Sequence, residues 1–319
     1  MDIRQSFKKD FKIPIPVLES PYFEHALKVY DREADWDAYS KWYPRLKQFK
    51  RHLQDVVHAL QTTPAYQQLE KDDLAKYRAP PERAHKYPRN GLYSPEHDRH
   101  YFVSIDLVTA HFQALYCYDP ELTFKCKTYR EWIDFNLKEL ATQQEDTQIV
   151  DLLVRLKYFR EALFGMKTTA GKIKQLEEYI TGRILTELLQ EGLVTSAQMI
   201  SVSPDEIIFR YQEGQDEKLK SFAKDHPIRL RVEIYELTHA HPIHPYYLKF
   251  HLNRGNEDPI EIKFVKESHH LQVFKHTHCR PIEDMDLYFA LEGDIAKYVH
   301  RLYQQDTPHI TATHITATP

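Results

Sequence analysis

Three acidic residues stand where short apolar runs end. Asp106 closes the run Tyr-Phe-Val-Ser-Ile-Asp-Leu at 101–107, and Asp205 and Glu206 follow Pro204 inside Met-Ile-Ser-Val-Ser-Pro-Asp-Glu-Ile-Ile-Phe-Arg at 199–210. The second stretch reads as two short strands folded about a Pro204-Asp205 turn, which puts two carboxylates at a hairpin tip. Carboxylates delivered by two strands to one sheet edge can hold a pair of Mg²⁺ or Mn²⁺ ions, hard cations that prefer oxygen ligands, and such a pair supports phosphoryl transfer. Each acid also has an ordinary reading. Asp106 can cap the following helix, and Asp205 is a common residue for the third position of a proline turn. Neither ordinary reading explains why both patterns share a region with a basic helix between them.

That helix is Val-Arg-Leu-Lys-Tyr-Phe-Arg-Glu-Ala-Leu-Phe-Gly at 154–165, in which Lys157, Arg160 and Phe164 recur at i, i+3 and i+7. They share a helix face. Two cations could grip triphosphate oxygens while the ring stacks a base; the alternative is a solvated basic face with Phe164 turned into the core. A second set of candidates is histidine: His239 and His241, then His276 and His278 beside Cys279. In strands, i, i+2 spacing puts both rings of a pair on one face, and two facing pairs could bind Zn²⁺. With 19 histidines in the chain, close pairs also arise without purpose, and Pro242 and Pro245 favour a loop around the first pair.

The elements needed to hold these residues can be read from periodicity. Residues 25–77 have helical spacing, with Tyr39, Trp42, Leu46, Phe49, Leu53, Val56, Val57 and Leu60 on one stripe. Residues 78–98 turn to Pro, Arg, His, Asn and Gly and read as a linker. Residues 101–105 form a β-rich run followed by a helix to 118, and helices are expected at 128–137, 148–164 and 170–189, the last with Ile173, Leu176, Ile180 and Ile184 on one face. Beyond 227 the pattern has period two, with strand-like runs at 246–252, 260–265 and 271–276, then a closing helix at 286–303 and a polar tail with a doubled His-Ile-Thr-Ala-Thr. The expected organisation is α+β: a helical N-terminal layer and linker (1–98), a helix-covered antiparallel sheet (99–226), a β-rich C-terminal part (227–305) and a disordered tail (306–319).

Composition narrows the function. The eight glycines form no G-x-G-x-x-G or P-loop pattern, which removes Rossmann and P-loop chemistry. A net charge of −4 confines any nucleic-acid site to a local patch. Three cysteines, Cys117, Cys126 and Cys279, make no paired framework and fit a reducing, intracellular setting; no membrane span or secretion signal is expected.

The order Asp106-Leu-Val-Thr-Ala-His-Phe-Gln-Ala-Leu, the basic helix ending Phe164-Gly165, and Ser203-Pro-Asp-Glu-Ile-Ile-Phe resembles the palm of family A DNA polymerases. The resemblance implies a palm-like sheet with Asp106 and Asp205 as metal ligands, Glu206 as an auxiliary acid, and Lys157, Arg160, Phe164, Gly165 and His111 around a nucleotide. It departs from the family pattern in placing His111 on the motif-A Glu, Pro204 on the motif-C His and Leu156 on the helix Lys. The chain also resembles uncharacterised proteins of large DNA viruses, through Ile105-Asp-Leu, Arg160-Glu-Ala-Leu-Phe-Gly and Asp286-Leu-Tyr-Phe-Ala-Leu-Glu-Gly-Asp-Ile-Ala-Lys. The expected partner is a nucleotide, with single-stranded or primer–template nucleic acid. Two other readings stand beside it: a non-catalytic binding or structural protein on a polymerase-derived fold, and a zinc enzyme built on the C-terminal histidines.

Overall fold

Alternation of side chains builds the sheet and apolar stripes build the helices that cover it. The structure is a computed structural model, and it describes residues 2–78, 91–164, 169–240, 246–252 and 260–298. Its elements are α1 (Ile3–Phe11), α2 (Tyr22–Val29), α3 (Glu33–Leu60), α4 (Pro64–Lys71), β1 (His100–Leu107), α5 (Ala110–Tyr118), α6 (Tyr129–Leu137), α7 (Asp146–Arg155), α8 (Lys157–Phe164), α9 (Ala170–Gln190), β2 (Met199–Val202), β3 (Glu206–Arg210), α10 (Asp216–Asp225), β4 (Leu230–Ala240), β5 (Tyr246–His251), β6 (Ile260–Lys263), α11 (His270–Thr277), β7 (Tyr288–Leu291) and β8 (Asp294–Lys297). The class is α+β. No helix among the described residues is long and apolar enough to cross a membrane.

The chain divides into two compact units, 1–13 with 33–265 and 14–32 with 266–319. The larger unit holds one six-stranded antiparallel sheet in the order β2-β3-β1-β4-β5-β6. β1 pairs on one side with β3, Asp106 opposite Glu206, and on the other with β4, Asp106 opposite Arg231. Because side chains alternate across a strand, Val103, Ile105 and Leu107 point to one face and Phe102, Ser104 and Asp106 to the other. Part of that second face is apolar, with Leu92, Phe102, Ile208, Tyr235, Leu237 and Tyr247 packed together. The helices have their own aromatic core, in which the fully buried Phe164 ring meets Phe112 at 5.4 Å and Trp132 at 5.1 Å between centroids.

Several expected boundaries move. The break expected at 227 falls inside the sheet, because β4 is the direct neighbour of β1. The expected N-terminal layer is divided as well: α3 belongs with the sheet, whereas 14–32, including α2, joins the C-terminal residues. Of the expected linker, residues 79–90 lie outside the described residues, but Leu92 is buried against the sheet and His97 is buried with its Nδ1–H donated to the Leu92 carbonyl. The strand expected at 271–276 is part of α11, in which Leu271, Gln272, Val273, Phe274 and Lys275 are all buried. The closing helix expected from 286 is instead the β7–β8 hairpin. Its turn residues Glu292 and Gly293 both have positive φ, 51° and 98°, as in a type I′ two-residue hairpin loop and unlike a right-handed helix. The tail lies outside the described residues.

Phe164 provides a direct test of the helical core. Phe164→Ala is expected to lower unfolding free energy by about 3–5 kcal/mol in a guanidinium titration, the usual cost of emptying a buried aromatic site. A loss below about 1 kcal/mol would place the ring outside the core.

Candidate functional site

The acids meet at one end of the central strand. Asp106 is the penultimate residue of β1, and the backbone runs on through Leu107, whose N–H donates to the Asp205 carbonyl at 2.9 Å. Asp205 therefore lies beside the end of β1, in the exposed β2–β3 turn, where its carboxylate accepts a 2.8 Å hydrogen bond from Ser203 Oγ. Glu206 opens β3 and accepts from the buried Ser104 Oγ at 2.6 Å. The turn is fixed from below by α9, whose Thr181 Oγ1 donates to the Pro204 carbonyl at 2.5 Å. The hairpin and the strand-end Asp thus occur as the sequence predicts.

Asp106 is not free. Its Oδ2 is 2.7 Å from Arg231 Nη2, and Arg231 Nε is 3.1 Å from Glu233 Oε1. Burial pushes the Asp106 carboxyl up to about 6; Arg231 opposes that rise, while Glu206, Asp205 and Glu233 add to it.

The charged array continues across the same sheet face. Lys249 is buried, 4.0 Å from Glu206 and 4.6 Å from the centre of the Tyr235 ring, and burial lowers its pKa against the pull of Glu206 and Glu261. His251, with no side-chain exposure, stands 3.9 Å from Glu233 on one side and 3.9 Å from Glu261 on the other. Burial works against ionisation of Glu261, yet His251, Lys263 and Lys249 together hold it well below the usual carboxylate range.

The predicted nucleotide-binding residues divide. His111, in the first turn of α5, has its Nδ1 2.6 Å from Glu177 Oε1. Phe164 is core, so the base-stacking role is corrected: its ring has no exposed face. Arg160 lies 5.9 Å from the centre of the Tyr129 ring and Lys157 is exposed; neither has a described contact with Asp106, Asp205 or Glu206. Gly165 lies outside the described residues. Among the described residues the zinc set is not assembled. His241 lies outside the described residues, His239 is on β4, and His276 and His278 belong to a helix and its cap, where i, i+2 spacing turns the rings apart. Among the described residues no group of three or more His, Cys, Asp or Glu side chains is arranged to hold a metal ion.

Arg231, Glu177, Ser104 and Lys249 are given no site role by the sequence. Only Glu177 left a signal, as a carboxylate inside the apolar stripe of α9. Comparison with family models, with curated proteins and with solved structures returned no match.

The raised Asp106 pKa has a consequence for stability. Between the ordinary value of 3.8 and about 6 the folded chain binds this proton more tightly than the unfolded chain, so the group's contribution falls as pH rises through that window and stays low above it. Asp106→Asn cannot ionise, and is expected to be more stable than the parent at pH 7.5 by up to about 3 kcal/mol. The gain should shrink at pH 5 in matched thermal or urea unfolding. A variant destabilised at pH 7.5 would contradict this balance.

Proposed function

We propose that the chain is a palm-type nucleotidyltransferase that transfers the nucleoside monophosphate of a nucleoside triphosphate to a hydroxyl of a nucleic-acid strand, with pyrophosphate as the leaving group. The observation that carries this reading is the delivery of Asp106 and Asp205 to one place by a central strand and a hairpin turn bonded to it through Leu107 N–H and the Asp205 carbonyl. Asp205 and Glu206 both act electrostatically on Asp106, and a pair of strand-end carboxylates offers the hard oxygen ligands that Mg²⁺ or Mn²⁺ prefers. Such ions commonly take only one or two protein carboxylates, with water and substrate phosphate completing their shell, so Asp106 and Asp205 suffice as the protein's share.

When bound, the ions would neutralise phosphate charge and acidify the attacking hydroxyl. The chain's own residues do the positioning. Ser203 orients Asp205, Ser104 orients Glu206, and Thr181 anchors the turn that carries both. Arg231, held by Glu233, remains beside Asp106 as a cation for phosphate oxygens.

One observation favours a second reading, a non-catalytic nucleic-acid-binding protein. Asp106 is engaged by Arg231, and the cations Lys157 and Arg160 have no described contact with the acids. A strand-end carboxylate neutralised by arginine would then be a structural pair on an inherited sheet.

Primer extension with Mg²⁺ and with Mn²⁺ separates the two. The parent should extend a primer, and Asp205→Asn should lose at least about 100-fold in rate, the scale expected when a group that stabilises transition-state charge is removed. Its unfolding midpoint should move little, since Asp205 is exposed. Extension by the variant at the parental rate would remove Asp205 from the site, and an inactive parent that still binds single strands would select the second reading.

A further inference from the structure

His111 and Glu177 stand out once the acids are placed. Glu177 is 4% exposed and belongs to the stripe of α9 that also buries Ile173, Leu176, Ile180 and Ile184. A buried carboxylate in such a stripe costs several kcal/mol of desolvation, which a Gln in its place would avoid while still bonding an imidazole. Its partner is open by contrast, since the His111 side chain is 41% exposed. One helical turn beyond Glu177, Thr181 donates to the Pro204 carbonyl. Residues at i and i+4 share a helix face, so α9 holds with one side chain the imidazole at the start of α5 and with the next the turn that presents Asp205.

The charges around the ring act in one direction. The hydrogen bond to Glu177 of α9 favours the protonated ring most, burial opposes it, and Glu177 charge, Asp205 of the β2–β3 turn and Glu161 of α8 add to the first effect. Glu161 is itself paired with Lys12 of α1. With Nδ1 committed to Glu177, Nε2 is the nitrogen available to another molecule.

We infer that His111 and Glu177 form an acid dyad of the phosphoryl-transfer site, with Glu177 holding the imidazolium and His111 Nε2–H protonating the pyrophosphate leaving group of a nucleoside triphosphate. This rests on the nucleotidyltransferase reading. The attacking hydroxyl oxygen forms the new bond to the α-phosphorus, and the bond from that phosphorus to the bridging oxygen breaks with its electron pair on the oxygen. The Nε2 proton goes to that oxygen, the hydroxyl proton leaves to water, and water reprotonates the ring. Glu177 keeps Nδ1–H throughout and changes no bond. His111 is then a catalytic residue and Glu177 a positioning one.

The test combines single-nucleotide primer extension across pH with an NMR titration of the His111 ring in the full chain. The parental rate should fall on the basic side as His111 deprotonates. His111→Gln should lower kcat about 100-fold, within the range for losing a general acid, with little change in KM and no basic limb, and His111→Lys should restore part of the rate. Glu177→Gln should move both the NMR midpoint and the basic limb to lower pH together. An active parent whose basic limb survives in His111→Gln, or a ring that titrates below an ordinary histidine, overturns the dyad while leaving the acids in place. A parent without extension, whose Mn²⁺ affinity is also indifferent to Asp205→Asn, overturns both. Should His111→Gln fail to fold, the joint movement in Glu177→Gln decides: a midpoint that moves without the limb sinks the proposal.

Discussion

The register of β1 between β3 and β4 is the constraint on which the rest depends. Two antiparallel ladders fix it at once, pairing Asp106 with Glu206 on one side and with Arg231 on the other. A slip of one residue would send Asp106, Ser104 and Phe102 to the opposite face and bring Ile105 and Val103 to the polar one. The apolar cluster around Phe102, Tyr235 and Leu237 on one face and the buried Val103 and Ile105 on the other make that slip costly. Packing that has nothing to do with chemistry therefore sets the position of the acids.

The same face carries an unusual density of buried charge. Glu233, Lys249 and His251 are all less than a tenth exposed, and ion pairs stand at both ends of the row, Lys263 with Glu261 at one and Arg231 between Glu233 and Asp106 at the other. Pairing lets each group partly compensate the desolvation of the next. At the Asp106 end compensation is incomplete, since its carboxyl stays raised even beside a guanidinium. Functional sites are where such local frustration is tolerated.

Much of the fold was legible because its signals are local. A β-rich run announced β1 and period-two alternation announced β4, the Pro204-Asp205 pair announced the hairpin, and the stripe of Ile173, Leu176, Ile180 and Ile184 announced α9. Short apolar runs were ambiguous: Leu-Gln-Val-Phe-Lys-His at 271–276 fits a strand or a helix, and its burial is continuous from Leu271 to Lys275 rather than periodic. The candidate site was half legible. Asp106 and Asp205 were visible as types at strand ends and His111 came only with the polymerase resemblance, but Arg231 meets Asp106 only through strand pairing across most of the larger unit, which no local pattern encodes. Phe164 was misread because helical spacing says which residues share a face and not whether that face is turned to solvent or to Phe112 and Trp132.

The smaller unit takes its two parts from opposite regions of the chain, and this bears on how the protein is made. Residues 14–32 leave the ribosome early, carrying Phe23, Ala26, Leu27 and Val29, all of which end up buried. Their partners in α11 and in the segment 284–287, where buried Asp286 takes the His25 ring at 2.7 Å and the Lys275 ammonium at 2.9 Å, are translated only after the whole six-stranded sheet. Throughout that interval an apolar helix waits without its cover. The nascent chain thus exposes that apolar face for an interval whose length is set by the rate of elongation.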